Sequence, residues 1–215
     1  MTDQLFAPQQ VRERTDTPIS FHDYLRVYDS YEGGQTEWIA GEVAVYPMTN
    51  NFHHQEVIHF LAGLLRHFMR KRKLGRVIPD DIPMRISETE APEPDLMVLL
   101  AEHEDRFEKL FVSGVADIAV EVVSPESDTR DYGRKRVQYE AAGVPEFWLF
   151  DPIRRAHFIY VLGEDGFYHL RALDDEGRIT STILPGFALD PEILWRDELP
   201  DAEEIVILVK AMEKK

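Results

Sequence analysis

The sequence predicts an α/β fold with a central mixed sheet, and three observations carry that prediction. A long amphipathic helix is written into residues 54–73. Three short apolar runs occupy 96–100, 117–123 and 146–151, and a second helical stretch separates the last two. With a further strand-like piece at 76–79, these give a core in the order α-β-β-β-α-β, because helices alternating with apolar runs are the pattern of layered α/β domains.

Taken in order, residues 1–20 read as a polar lead-in, with Ser20 placed to cap a short helix through Tyr24, Leu25 and Val27. Glu37 to Tyr46 alternates as a strand or hairpin, stopped by Pro47. In the helix from His54 to Lys73, Ile58, Leu61, Leu65 and Phe68 recur at three- and four-residue steps, with Gly75 as its stop. Strand-like pieces follow at 76–79 and 82–86, then an acidic, proline-bearing stretch from Glu88 to Glu93. Pro94-Asp95 opens the run at 96–100. Glu102 to Lys109 is a surface loop or short helix. Ser124-Pro125 closes the run at 117–123, and Pro152 stops the one at 146–151. A helix is expected from about Pro125–Asp128 to Ala142. Beyond it, 158–162 and 167–172 predict a β-hairpin extension, and 197–215 an acidic tail or helix. The domain proper is 21–196.

Composition excludes several functions. The 24 Lys and Arg stand against 40 Asp and Glu, a net charge of −16 with histidine neutral. A field of that sign repels phosphates at long range, so a general nucleic-acid coat or a binder of anionic membranes is disfavoured. No cysteine is present, which removes disulfides, thiolate metal sites and a cysteine nucleophile. Histidines 53, 54, 59 and 67 lack the His-Glu-x-x-His spacing, and no glycine-rich phosphate loop occurs. The longest aliphatic run, 205–209, cannot cross a bilayer, and the first twenty residues hold no signal-peptide core, so a cytoplasmic protein is expected.

Three strand- and helix-borne residues stand out. In 117–123 the even positions face one way, leaving Ala119, Glu121 and Val123 on the other. A carboxylate there is either on a half-exposed sheet face or buried with a partner. Asp95 is either a turn residue or an acid at the head of the neighbouring strand. Two acids from two core strands would form a hard-cation site. Asp131, Lys135 and Tyr139 share one helix face, so Lys135 either makes a solvated pair with Asp131 or points at the strand bearing Glu121. The basic residues between Arg66 and Arg76, with Arg130, Arg134, Arg136, Arg154 and Arg155, are a phosphate-binding groove or scattered solvated charges.

The ordered run Pro94-Asp95, Glu121-Val-Val-Ser-Pro125, Asp131…Lys135…Tyr139, Ala142-Gly-Val-Pro-Glu-Phe-Trp148 and Asp151-Pro152 resembles the Uma-type family of bacterial restriction endonucleases, within the PD-(D/E)XK nuclease superfamily. The likeness extends to Glu37-Trp-Ile-Ala-Gly-Glu42, His54-Gln55 and Leu184-Pro-Gly-Phe187, covering about residues 20 to 195. It implies a restriction-endonuclease-like α/β fold and a Mg²⁺-dependent endodeoxyribonuclease, with Mn²⁺ as a possible substitute. Asp95, Glu121 and the backbone carbonyl of Val122 would be the metal ligands. The superfamily's strand lysine would fall at Val123, so the resemblance implies that the ammonium comes from Lys135. Glu37 and His54 become auxiliary candidates beside their plainer readings as an exposed strand-end acid and a capping or packing histidine. DNA is the implied partner, weakly bound given the charge, and a homodimer would let two sites address two strands. The alternative is a catalytically silent, acidic binding or regulatory module on the same fold, which the net charge and Val123 favour.

Overall fold

The computed structural model describes residues 13–14, 18–27, 34–47, 52–79, 82–125 and 130–212. Most of the lead-in expected over 1–20 lies outside these, as do residues 126–129 near the expected start of the second helix. Strand β1 (Glu13–Arg14) precedes helix α1 (Phe21–Val27) and the hairpin β2 (Gly34–Ile39) and β3 (Glu42–Pro47). Ser20 caps α1 as expected, its Oγ accepting from the Asp23 N–H at 3.1 Å. The hairpin turns through Ala40 and Gly41 at φ 51° and 87°. Two left-handed central residues are what a two-residue turn needs to match strand twist.

Helix α2 (Phe52–Arg72) buries Ile58, Leu61, Leu65 and Phe68, the stripe read from the sequence, with Val57 and Leu64 beside it. Its end differs from the expectation. Lys73 takes the left-handed position (φ 56°), with Leu74 N–H on the Met69 carbonyl at 3.1 Å. Gly75 opens β4 (Gly75–Pro79) instead, at φ 138°, where a Cβ would stand 2.1 Å from the Leu99 carbonyl oxygen. Glycine is required there by close backbone approach, not to stop the helix.

Next come β5 (Met84–Arg85), β6 (Glu90–Ala91), β7 (Leu96–Leu100), a 3₁₀ turn over Ala101–Arg106, β8 (Val112–Ser113) and β9 (Ile118–Val122). A π-helical turn, Arg130–Lys135, feeds α3 (Arg136–Ala142), which leads to β10 (Glu146–Asp151) and the expected hairpin, β11 (Ala156–Leu162) and β12 (Tyr168–Leu170). β13 (Ile179–Thr180) and β14 (Ala188–Leu189) pair with each other. The acidic C-terminal stretch contains α4 (Ala202–Ala211), with a capping box at Asp201 and Glu204. Val209 and Ile205 pack it onto the core cluster that α2 supplies.

Two sheets result. The smaller runs β1-β3-β2-β6, and the central six-stranded sheet runs β12-β11-β10-β9-β7-β4. Only its β9–β10 pair is parallel, joined across α3, so the sheet is mixed as the sequence implied. One face of it (Leu96, Val98, Ile118, Val120, Val122, Trp148, Phe150) packs with α2. The other (Met97, Leu99, Ala119, Val123, Phe147, Leu149) packs with Tyr139 of α3.

Candidate active site

Register brings the two strand acids together. β7 and β9 pair Met97 with Ala119 and Leu96 with Val120. One further step sets Asp95 opposite Glu121, and cross-strand partners share a face. The Val122 N–H donates to Asp95 Oδ2 at 2.6 Å and holds that carboxylate at the end of the ladder. Asp95 is therefore a buried acid tied to β9, not a free turn residue.

Glu121 is 1% exposed on a face that is core, which removes the half-exposed sheet as an explanation. Its partners come from the helix after β9. Lys135 Nζ and Tyr139 OH each donate to Glu121 Oε1 at 2.6 Å, and Oε2 takes no part in either bond. Asp131, Lys135 and Tyr139 are all buried, so their shared face points at the strand, and Lys135 is not a solvated partner of Asp131. The four-residue spacing explains why Lys135 and Tyr139 reach one oxygen: each lies one turn from the next on a single face. Lys135 also donates to the main-chain carbonyl of Glu93 at 3.3 Å.

The remaining candidates sit around this pair. His54, at the head of α2, has Nε2 3.7 Å from Asp95 Oδ2. Glu37 is 1% exposed, not the exposed strand-end acid of the plainer reading. Its Oε2 lies 3.0 Å from Arg134 Nη2, outside hydrogen-bond geometry, and neither oxygen has a hydrogen-bond partner among the described residues. Arg134 in turn donates to Tyr46 OH at 2.6 Å.

Electrostatics divides the two acids. Burial pushes the Glu121 carboxyl up to about 8 against the pull of Lys135, and the Asp95 and Asp131 charges add to the rise. For Asp95 burial also acts upward, but His54, Lys135 and the Val122 N–H outweigh it and hold that carboxyl below its ordinary range. His54 shows the converse: burial lowers its pKa, Asp95 raises it, and the net direction is up.

The donor set fits a hard divalent cation. Two opposed carboxylates supply oxygen, Glu121 keeps Oε2 outside its bonds to Lys135 and Tyr139, and Mg²⁺ is commonly held by one or two carboxylates plus water and substrate phosphate. Among the described residues no group of three or more acids and histidines forms a full protein cage, so the other positions would fall to a carbonyl, water or substrate.

The basic cluster does not join this site. Arg70 lies sixteen helical steps beyond His54, about 24 Å along α2 at 1.5 Å per residue. Arg70 and Lys71 line a groove with Gly63, Arg66 and His67 toward the far end of that helix. Sequence reasoning missed Tyr139 as a donor to Glu121 and Glu93 as a support. The first was signalled by its position one turn beyond Lys135. Nothing local signalled the second, whose partners Tyr24 and Thr36 are 69 and 57 residues away.

Together the mixed sheet, the flanking α2 and α3 and the opposed acids with a helix-borne lysine define a nuclease-like α/β fold. The chain belongs to the Uma2 family, described as “Putative restriction endonuclease”, whose pattern matches residues 21–192. It is similar to a crystal structure of “a putative nuclease belonging to DUF820” from Anabaena variabilis, at 16% identity and a TM-score of 0.62, over 83% of this chain and 98% of that one. That likeness is one of fold. No curated protein matches the sequence. No helix among the described residues is long and apolar enough to cross a membrane.

Proposed function

We propose that the chain is a metal-dependent endonuclease that hydrolyses phosphodiester bonds of DNA, with Asp95, Glu121 and Lys135 at its centre. Family membership and fold support a nuclease-type function, and one observation carries the assignment of residues: Lys135 Nζ lies 2.6 Å from a Glu121 that stands opposite Asp95.

Asp95, Glu121 and the Val122 carbonyl would hold Mg²⁺ or Mn²⁺. Such an ion, when bound, lowers the pKa of water and neutralises charge on the phosphoryl oxygens. The chain's own groups do the rest. The Lys135 ammonium offers a cation for the negative charge that grows as a phosphodiester is attacked. Tyr139 donates to Glu121 Oε1 and restrains the carboxylate, leaving Oε2 for other contacts. His54 partners Asp95, and Glu37 holds Arg134, whose side chain is 39% exposed and can meet a neighbouring phosphate. With a net charge of −16, association with DNA is weak and leans on the cation.

A silent binding module is the second reading, favoured by the depth of Lys135, which is 0% exposed, and by the raised pKa of Glu121. One assay separates them: purified protein with supercoiled, linear and single-stranded DNA and with RNA, in Mg²⁺, Mn²⁺ or chelator. Cleavage of DNA in a divalent ion, abolished by chelator and by Glu121→Gln or Asp95→Asn, is the expected result. Failure to cut any substrate in any metal overturns the nuclease reading.

A further inference from the structure

Glu93 is a buried acid that the proposed mechanism leaves unused. It is 2% exposed and lies two residues before Asp95. Its Oε1 accepts from Tyr24 OH at 2.5 Å and from Thr36 Oγ1 at 2.8 Å, and its Oε2 accepts from the Thr36 N–H at 3.3 Å. Tyr24 belongs to α1 and Thr36 to β2, so this carboxylate fastens the small sheet to the lead-in of β7. Burial and the adjacent carboxylate push the Tyr24 pKa far up, which keeps its hydroxyl a donor.

The main chain of the same residue reaches the site, because the Glu93 carbonyl accepts from Lys135 Nζ. A lysine carried by a helix has a flexible four-carbon stem, and its approach to Glu121 is defined only when a second acceptor fixes the ammonium. Pro94 stiffens the link between the two. Its ring locks φ and confines the residue before it to extended conformations, so Glu93 and Asp95 move as one piece.

We propose that Glu93 is a positioning residue. Its carboxylate, held by Tyr24 and Thr36, fixes the Glu93-Pro94-Asp95 segment so that Asp95 and Lys135 keep their places beside Glu121. The catalytic consequence rests on the nuclease reading; the structural consequence does not.

The test follows Lys135 directly, by labelling with an amine-reactive reagent and mass spectrometry, in chelator. In the wild type Lys135 is 0% exposed and should be protected. Glu93→Ala is expected to raise its labelling about tenfold, with the exposed Lys109 and Lys210 unchanged, because freeing the segment opens the local structure. Glu93→Gln, which keeps shape and acceptor, should restore protection. Glu146→Ala is the control for general destabilisation. That buried carboxylate accepts from Trp148, Ser181 and Thr182 on the α2 face of the sheet, opposite the face that carries Lys135 and Tyr139, so its loss should leave Lys135 protected.

On DNA that the wild type cuts, Glu93→Ala should lower kcat about tenfold with KM within about twofold, the signature of misplaced catalytic groups rather than lost binding. Lys135 as protected in Glu93→Ala as in wild type, or equally exposed by Glu146→Ala, overturns the proposal. Should Glu93→Ala not be recovered folded, Tyr24→Phe and Thr36→Val each remove one donor to the same carboxylate, and unchanged Lys135 labelling in both is the overturning result. If the wild type cuts nothing, the nuclease reading falls while the labelling still decides the role of Glu93.

Discussion

Replacing Lys135 with methionine removes a charge and keeps most of the aliphatic volume, so it isolates the ion pair. Both partners are buried, at 0% and 1% exposure, and 2.6 Å apart. Removing one member of such a pair costs about 3–5 kcal/mol, because the survivor is stranded without compensation. Tyr139 still donates to Glu121, and the carboxyl can take up a proton, so the loss belongs near the lower limit, about 3 kcal/mol. For a domain of this size 1 kcal/mol moves the melting temperature by roughly 2–4 °C, which gives a drop of about 6–12 °C. Adding Glu121→Gln removes the stranded charge and should recover most of it. The assay is a thermal melt of wild type, both single variants and the double variant, in chelator above pH 8, where the Glu121 carboxyl is ionised, read as a double-mutant cycle. Lys135→Met melting within about 2 °C of wild type, or a double variant whose loss is the sum of the singles, would refute the view that the pair acts as a unit.

Two further outcomes follow from the same geometry. Between its ordinary value of 4.5 and about 8, folded Glu121 holds a proton that the unfolded chain has released, so its contribution to stability falls as pH rises through that window. Chelated wild type should lose stability across this window by an amount that Glu121→Gln abolishes; identical pH profiles would dismiss the raised carboxyl. Changing Arg70 and Lys71 to glutamine should leave the rate of cleavage within about twofold, since α2 carries them about 24 Å from His54. A tenfold loss would return that cluster to the site.

The fold was legible wherever periodicity was strong. The stripe of α2 and the alternation of 117–123 each fixed a face, and both faces of β9 proved to be core. Glu121 could be found because a carboxylate between valines breaks an apolar strand, and Lys135 because it shares a helix face with Tyr139. Burial was not legible, since the sequence of Asp131 and Lys135 reads equally well as a surface pair. Nor was the lead-in to β7: Glu88 to Glu93 reads only as an acidic, proline-bearing stretch, yet its last residue is buried by hydroxyls from another layer. Contacts across so many residues leave no local pattern.

Bringing the ammonium in on the crossover between β9 and β10 separates two things that a strand lysine would weld together. The spacing of the acids is set by the ladder of β7 and β9, and the strand position at Val123 is released to fill the core. The azimuth of the charge is set instead by the π-helical turn Arg130–Lys135 that carries it. One residue added between Lys135 and Tyr139 would turn one about 100° away from the other, and the two could no longer share Glu121 Oε1. The helical register that carries Lys135 and Tyr139 is therefore as much a part of the candidate site as the ladder that opposes its two carboxylates.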